Sequence, residues 1–441
     1  MGTDATWPLR RLDLRGDRED PRSRLPRASE EQVAQVRRET DEVLAAVRAE
    51  GDTAVRRYTE RFDGFGGDPR LEPGALDAAL ASTPADLREA LERAADQIRW
   101  FHERCRPPDW EDTRGGARMG VRHAPIGRVG VYVPGGQAPL VSTALMTIVP
   151  ARVAGVDEVV LATPPRPDGT PDPGILAAAA VAGGVDQAFR MGGAQAIGAL
   201  AYGTESVPPC DKIVGPGAAH TAEAKQQVAM DGVCGIDLLA GVTEVAIIAD
   251  DHADPRHVAA DLVAQAEHDP LATAMLVTPS ADLAQRVEHA LADEVAGTKH
   301  VERVRTALEG QGTAVLVDDL DHAVDVTNVW GPEHLEIQTG DDEAVAARVR
   351  AAGTVFIGGC SPVSLGDYAA GPNHTLPTGG TARFTGGLTT SDFLVPVNWV
   401  AYDRDALAEL APVVDALGAA EDLPAHARAA AVRLDKEDPG E

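Results

Sequence analysis

The chain has 441 residues, 44% of them hydrophobic, enough for two or three domains with buried cores. Its 69 acidic residues outnumber 40 basic ones, and the resulting formal charge of −29 disfavours nucleic acid and anionic membranes as partners. No apolar run reaches the roughly 18 residues of a membrane span, and the first twenty residues lack the apolar core of a secretory leader.

Four scattered cysteines, Cys105, Cys210, Cys234 and Cys360, form no metal spacing and fit a reducing, cytoplasmic setting without a disulfide framework. Residues 29–105 read as helical. Ser29, Glu30 and Glu31 lead an apolar rhythm through Val33, Val36, Val43 and Val47, the pattern of a capped amphipathic helix that Gly51-Asp52 stops. A second helix is expected from Pro84 to Glu103, with Leu87, Leu91, Ala94, Ile98 and Phe101 spaced by three or four. Residues 106–120, rich in Pro, Gly and charge, read as a linker.

From Arg128 short β-rich runs alternate with helical ones, which predicts βαβ units and a parallel sheet. The first series has strands near Val129–Val133, Val159–Ala162, Ala188–Met191 and Lys212–Val214. The second has Val245–Ala249, Ala274–Thr278, Ala314–Val317, Leu335–Gln338 and Val355–Gly358. The predicted fold is therefore α/β. A helical N-terminal region and linker (1–120) precede two tandem Rossmann-like, doubly wound domains (121–236 and 237–381), and a small helical tail (382–441) follows.

Ligands in open α/β sheets bind beyond the carboxyl ends of the strands. There the first series carries Gly135-Gly136, Gly192-Gly193 and Gly215-Pro216-Gly217. These bare turns would let a dinucleotide approach helix N-termini, although such turns occur in many βα units. In the second series Gln265 and His268 share one side of a predicted helix. Asp367 and His374 lie in a loop after a strand, and Glu333-His334 precede another strand, where a carboxylate beside an imidazole suits acid–base work or is simply a solvated turn. Gln265, His268, Asp367 and His426 together offer an amide oxygen, two imidazoles and a carboxylate, a set suited to Zn²⁺.

The segments Val131–Gly136, Gly192–Ala196, Lys212–Gly217, Gln265–His268, Pro332–Glu336, Gly366-Asp367 and Gly371–Thr378, in this order, resemble the histidinol dehydrogenase family over roughly residues 30–435. The resemblance implies a zinc- and NAD-dependent homodimer with an exchanged C-terminal tail, oxidising an amino alcohol through its aldehyde to the acid. It implies zinc on Gln265, His268, Asp367 and a tail His426 from the other subunit, with Glu333 and His334 as the catalytic pair. Substrate contacts would come from Thr243, Gln265, His268, Glu333, His334, Asp367, His374, Glu421 and His426, and NAD contacts from Tyr132 and Gln195. The chain departs from the family pattern at Ala218, usually Asn, at Thr243, usually Ser, and at Trp330-Gly331, usually Tyr-Ala. The alternatives are a relative that oxidises another polar alcohol and a non-catalytic metal- or nucleotide-binding protein on the same scaffold.

Overall fold

A computed structural model describes residues 7–25, 30–135, 139–238 and 241–435. Ser29, Gly136 and the side chains of Glu30, Glu31 and Val33 lie outside the described residues.

A short strand, β1 (Arg10–Asp13), precedes four helices, α1 (Glu30–Glu50), α2 (Asp52–Asp63), α3 (Ala75–Ser82) and α4 (Ala85–Arg104). Gly51, at φ +55, separates α1 from α2 as a local break and not as the end of the helical region. In α4, Leu91, Ala94 and Ile98 of the expected rhythm face inward with Ala95 and His102, whereas Leu87, in the first turn, is exposed and Phe101 only partly buried.

The expected linker is instead a hairpin, β2 (Trp110–Arg114) with β3 (Ala117–Pro125). Gly115 and Gly116 take φ +57 and +79, the two positive values that a tight two-residue turn needs, so the glycines that suggested irregularity build the turn.

Strands and helices then alternate: β4 (Arg128–Tyr132), α5 (Val141–Ala154), β5 (Glu158–Thr163), α6 (Pro173–Val181), β6 (Gln187–Arg190), α7 (Gly193–Tyr202), β7 (Lys212–Val214), α8 (Ala219–Met230) and β8 (Gly235–Ile236). They form a parallel sheet in the order β6-β5-β4-β7-β8. The order reverses between β4 and β7, a topological switch point of the kind that receives ligands in doubly wound folds.

A second series follows: β9 (Glu244–Ala249), α9 (Pro255–Ala266), β10 (Thr273–Thr278), α10 (Ala281–Gly297), α11 (Val301–Gln311), β11 (Thr313–Leu316), α12 (Leu320–Trp330), β12 (His334–Gln338), α13 (Asp342–Ala346), β13 (Thr354–Ile357) and α14 (Val363–Tyr368). Its parallel order is β1-β11-β10-β9-β12-β13. Without β1 it repeats the order of the first sheet. Alternate residues of β9 enter different cores: Val245, Ile247 and Ala249 pack with α9 and α10, while Ala246 and Ile248 pack with α12. Burial on both faces is why these strands read as unbroken apolar runs. Sequence patterning missed β1, whose four residues Arg-Arg-Leu-Asp are too short and polar to signal a strand.

Residues Arg106–Pro125 and Leu394–Glu441 form a second compact unit, distinct from the rest of the chain. It contains the antiparallel sheet β14-β3-β2, with β14 (Leu394–Ala401), and two helices, α15 (Arg404–Ala420) and α16 (Pro424–Ala431). The expected helical tail thus begins with a strand.

Candidate active site

Glu333 immediately precedes β12 and His334 opens it. Thr243 immediately precedes the neighbouring strand β9, with His334 opposite Val245 in the register. The candidate residues of the second sheet therefore gather at the amino ends of its strands, not at the carboxyl ends where sequence reasoning placed ligands. The helices explain this. Each runs back after its strand, so Gln265 in the last turn of α9, His268 just past it, and Asp367 near the end of α14 all return to the amino side. Asp367 is accordingly a helical residue and not the loop residue expected.

The Glu333 and His334 side chains are buried, 7% and 3% exposed, which removes the reading of a solvated turn. The Thr243 hydroxyl donates to Glu333 Oε2 at 2.6 Å and accepts from Gln265 Nε2 at 2.7 Å, and the Glu244 N–H also donates to Glu333 Oε2, at 2.8 Å. His334 Nδ1 stands 3.6 Å from the same oxygen, and its Nε2 stands 3.9 Å from Asp367 Oδ1. The His268 imidazole, the most open of the group, has its Nε2 3.9 Å from Asp367 Oδ2. His374 is fixed at both nitrogens. Nδ1–H donates to the Asp367 carbonyl at 2.9 Å, so Nε2 accepts from Thr143 Oγ1 at 3.1 Å. Next to it, Asn373 Nδ2 donates to the Met146 carbonyl of α5. The first sheet's α5 thereby holds the loop that presents His374 to the second sheet's cluster.

Burial sets the protonation states. It pushes the His334 imidazole down to about 3, with His268 and His374 adding smaller repulsions, and His374 down to about 4. Both rings are neutral at pH 7. Burial pushes Glu333 well above the usual carboxylate range, opposed by the donors from Thr243 and Glu244, and raises Asp367 to about 7. A dication beside Asp367 would reverse that preference.

Gln265 Oε1 is buried without a hydrogen-bond partner, as is His334 Nδ1. A buried acceptor left unpaired costs roughly 1–3 kcal/mol, so Gln265 Oε1 is suited to a cation. Among the described residues no group of three or more His, Cys, Asp or Glu is placed to hold a metal ion. This chain's candidate donors are one amide oxygen, the His268 imidazole and the Asp367 carboxylate, whose types fit zinc as an incomplete set. The fourth candidate, His426, lies on α16, and Glu421 caps α15; both are exposed residues of the second unit.

At the switch point of the first sheet, Gly215 has φ +113, and a Cβ there would lie 2.1 Å from the Tyr132 carbonyl oxygen. Its N–H donates to Asp237 Oδ2 at 2.8 Å and its carbonyl accepts from Lys225 Nζ at 2.7 Å, while Lys225 and Asp237 also pair directly with each other. The turn is thus bracketed by a buried ion pair. The Tyr132 hydroxyl accepts from the Gly193 N–H at 3.1 Å, and Gln195 is 1% exposed with neither amide atom bonded. Ala218 occupies the N-cap of α8 without a side-chain cap, and His220 is engaged by Glu39 at 2.8 Å. Cys210 and Cys234 are buried, and burial pushes the Cys234 thiol up to about 12, which leaves neither suited to nucleophilic work.

Sequence reasoning missed Thr143, Asn373, Asp261 and Glu336. Only Glu336 had a readable signal, two residues after His334 and so on the same face of its strand.

Two doubly wound sheets, with glycine turns at the carboxyl ends of one and a buried carboxyl–imidazole cluster at the amino ends of the other, describe a dehydrogenase. The family model described as histidinol dehydrogenase matches residues 26–434. The chain belongs to the histidinol dehydrogenase family, whose members are NAD-dependent oxidoreductases. The histidinol dehydrogenase of Thermobifida fusca is 48% identical over 436 residues, covering 98% of each chain. That of Mycobacterium tuberculosis is 46% identical over 445 residues, covering 97% of this chain and 98% of its own. The crystal structure of histidinol dehydrogenase from Elizabethkingia anophelis matches with a TM-score of 0.90 at 32% identity, covering 97% of this chain and 98% of its own. Among the described residues no helix is long and apolar enough to cross a membrane.

Proposed function

We propose that the chain oxidises L-histidinol through the aldehyde to L-histidine, the last steps of histidine biosynthesis. The observation that carries this reading is the buried Glu333–Thr243–Gln265 chain of hydrogen bonds beside a neutral His334, with Asp367 and His268 around it.

NAD supplies the hydride acceptor in each of two oxidations, with Tyr132 and Gln195 as its contacts at the carboxyl ends of the first sheet. The unbonded Gln195 amide supports that assignment. His334 accepts the alcohol proton as the carbon gives up its first hydride, a role open only to a neutral imidazole. Glu333 accepts a proton from the water that adds to the aldehyde carbon. The Thr243 hydroxyl and the Glu244 N–H oppose the burial that favours the protonated carboxyl and so lower the cost of the ionised form that this requires. The hydrate then releases its second hydride and a hydroxyl proton and leaves as the carboxylate. His374 binds substrate from the fixed tautomer described above, and Glu421 of the partner subunit completes the contacts.

Zinc, held by Gln265, His268, Asp367 and His426 of the partner subunit, would supply an anchor for the substrate's nitrogen atoms. Positioning of this kind is worth of order ~7 kcal/mol or more in favourable cases. The unpaired Gln265 Oε1 supports this set. A homodimer with exchanged tails is supported by α15, which leaves Leu410, Val413 and Leu417 exposed along one stripe. The free cysteines fit a cytoplasmic enzyme.

NADH formation measured with zinc over a panel of polar primary alcohols tests the reading. L-Histidinol should give about two NADH per molecule. Turnover of another alcohol with none of L-histidinol would overturn it.

A further inference from the structure

Strand β12 and helix α9 face each other with two polar rows in an otherwise apolar core. On β12 the side chains of His334, Glu336 and Gln338 point to one face, because alternate residues of a strand do. On α9, Asp261 and Gln265 stand one turn apart on one side, and His268 follows just past the helix end. One end of this pair of rows is the site: His334, Gln265 and His268. The other end takes no part in the proposed chemistry. There Gln338 Nε2 donates to both Glu336 Oε2 and Asp261 Oδ2, at 3.2 Å each, and the two carboxyl groups share a hydrogen bond. Glu336 Oε1 then accepts the Val363 N–H at 2.8 Å. Val363 is the first residue of α14, whose preceding residue, Pro362, supplies no side-chain cap.

Glu336 is 1% exposed and Gln338 5%. Burying such a network is costly, and hydrophobic replacements of similar volume are often neutral or stabilising, so stability alone does not account for it. Its position does. The network joins the helix that carries Gln265 and leads into His268 to the helix that carries Asp367, by way of the strand that carries His334. Burial raises both Glu336 and Asp261 above the usual carboxylate range, so the pair shares a proton between them.

We propose that Glu336, with Asp261 and Gln338, is a positioning lock that sets α14 against α9, so that Asp367 stands opposite Gln265 and His268 before the metal binds. This rests on the zinc assignment made above. The lock acts through the backbone of α14 and touches neither substrate nor metal.

The test is the zinc affinity of the purified full-length protein, measured by competition with a chromophoric chelator, alongside thermal melts of the metal-free form. Glu336→Leu removes the acceptor for the Val363 N–H and should weaken zinc binding about 10–100-fold, the usual effect of losing an outer-shell partner. Its melting temperature should fall modestly, because the buried Val363 N–H loses its acceptor, and Glu336→Gln should recover it. Glu336→Gln keeps an acceptor for Val363 and a donor for Asp261, and should restore zinc affinity to within about threefold of the parent. Asp261→Ala, at a half-buried position, gives an independent reading if Glu336→Leu does not fold, and should also weaken zinc at least fivefold or so. The lock is overturned if Asp367→Ala abolishes tight zinc binding while Glu336→Leu or Asp261→Ala leaves it unchanged. If Asp367→Ala itself leaves zinc affinity unchanged, the metal assignment fails and the lock fails with it.

Discussion

Thr143 Oγ1 meets His374 Nε2 at 3.1 Å, while His374 Nδ1 is committed to the Asp367 carbonyl. The Asp367 carbonyl fixes Nε2 as the accepting nitrogen, and one hydroxyl from the first sheet's α5 holds that nitrogen in place. Thr143→Val is isosteric but has no hydroxyl. It should raise KM for the alcohol several-fold with a smaller change in kcat, because the ring loses one of its two restraints. Thr143→Ser should keep KM near the parent value. Steady-state kinetics of the three proteins decide it, and an unchanged KM in the Val protein would remove the orienting role.

Thr243 sits between Gln265 and Glu333 as acceptor from one and donor to the other. Thr243→Val leaves a buried donor on Gln265 and strips a donor from Glu333, a loss of roughly 1–3 kcal/mol, which if felt in the transition state is about fivefold to 150-fold in rate. The loss should fall more on oxidation of the aldehyde than of the alcohol, since Glu333 is assigned to the water step. Single-turnover rates started from alcohol and from aldehyde separate the two. Equal losses would contradict the division of labour between Glu333 and His334.

His102 is fully buried, both ring nitrogens lack partners, and burial pushes its pKa down to about 4. Between pH 6.5 and 4 the unfolded chain binds this proton and the folded one does not. Stability therefore falls as the pH drops through that window, by roughly 2 kcal/mol at pH 5 from this residue alone. Asp63, raised to about 6 by burial, works the other way: its contribution is present below the ordinary carboxylate range and is lost as the pH rises through 6. The difference between proteins is thus the clean observable. Urea melts of the parent and of His102→Leu, at pH 7 and pH 5, should show the variant losing less stability on acidification.

Two changes at the switch point should have opposite effects. Ala218→Asn supplies the missing side-chain cap of α8 and should stabilise the fold by about 0.5–2 kcal/mol. Gly215→Ala forces a Cβ against the Tyr132 carbonyl at a positive φ and should destabilise it by more than the ~1–2 kcal/mol of the dihedral alone. Denaturant midpoints read both.

The alternation of strands and helices was legible because strands buried on both faces read as continuous apolar runs, and Lys212–Val214 appears with the bounds expected of it. Gln265, His268, Glu333, His334, Asp367 and His374 were all recognisable from motifs and do come together. What spacing could not reveal was the end of the sheet at which they meet. That depends on α9 and α14 running back past their strands, a property of topology. Thr143 and Asp261 stayed hidden for a similar reason: each is an ordinary polar residue on a helix until a distant partner gives it a role. The hairpin at Gly115-Gly116 was misjudged because polar, glycine-rich sequence describes a tight turn as well as a linker.

The register of β1 has a consequence for how the molecule is made. Arg10 pairs with Thr313, so the second sheet takes its edge strand from a segment about 300 residues older. At ~5–20 residues per second a ribosome needs roughly 15–60 s to cover that distance. The first sheet, which spans residues 128–236, can assemble in the meantime. Leu9 and Leu14, which end up buried in the cores of the second sheet, must wait in solvent until β11 emerges. This edge is built from residues translated some 300 positions before their partner, and until it closes β11 offers an unpaired strand to any neighbouring chain.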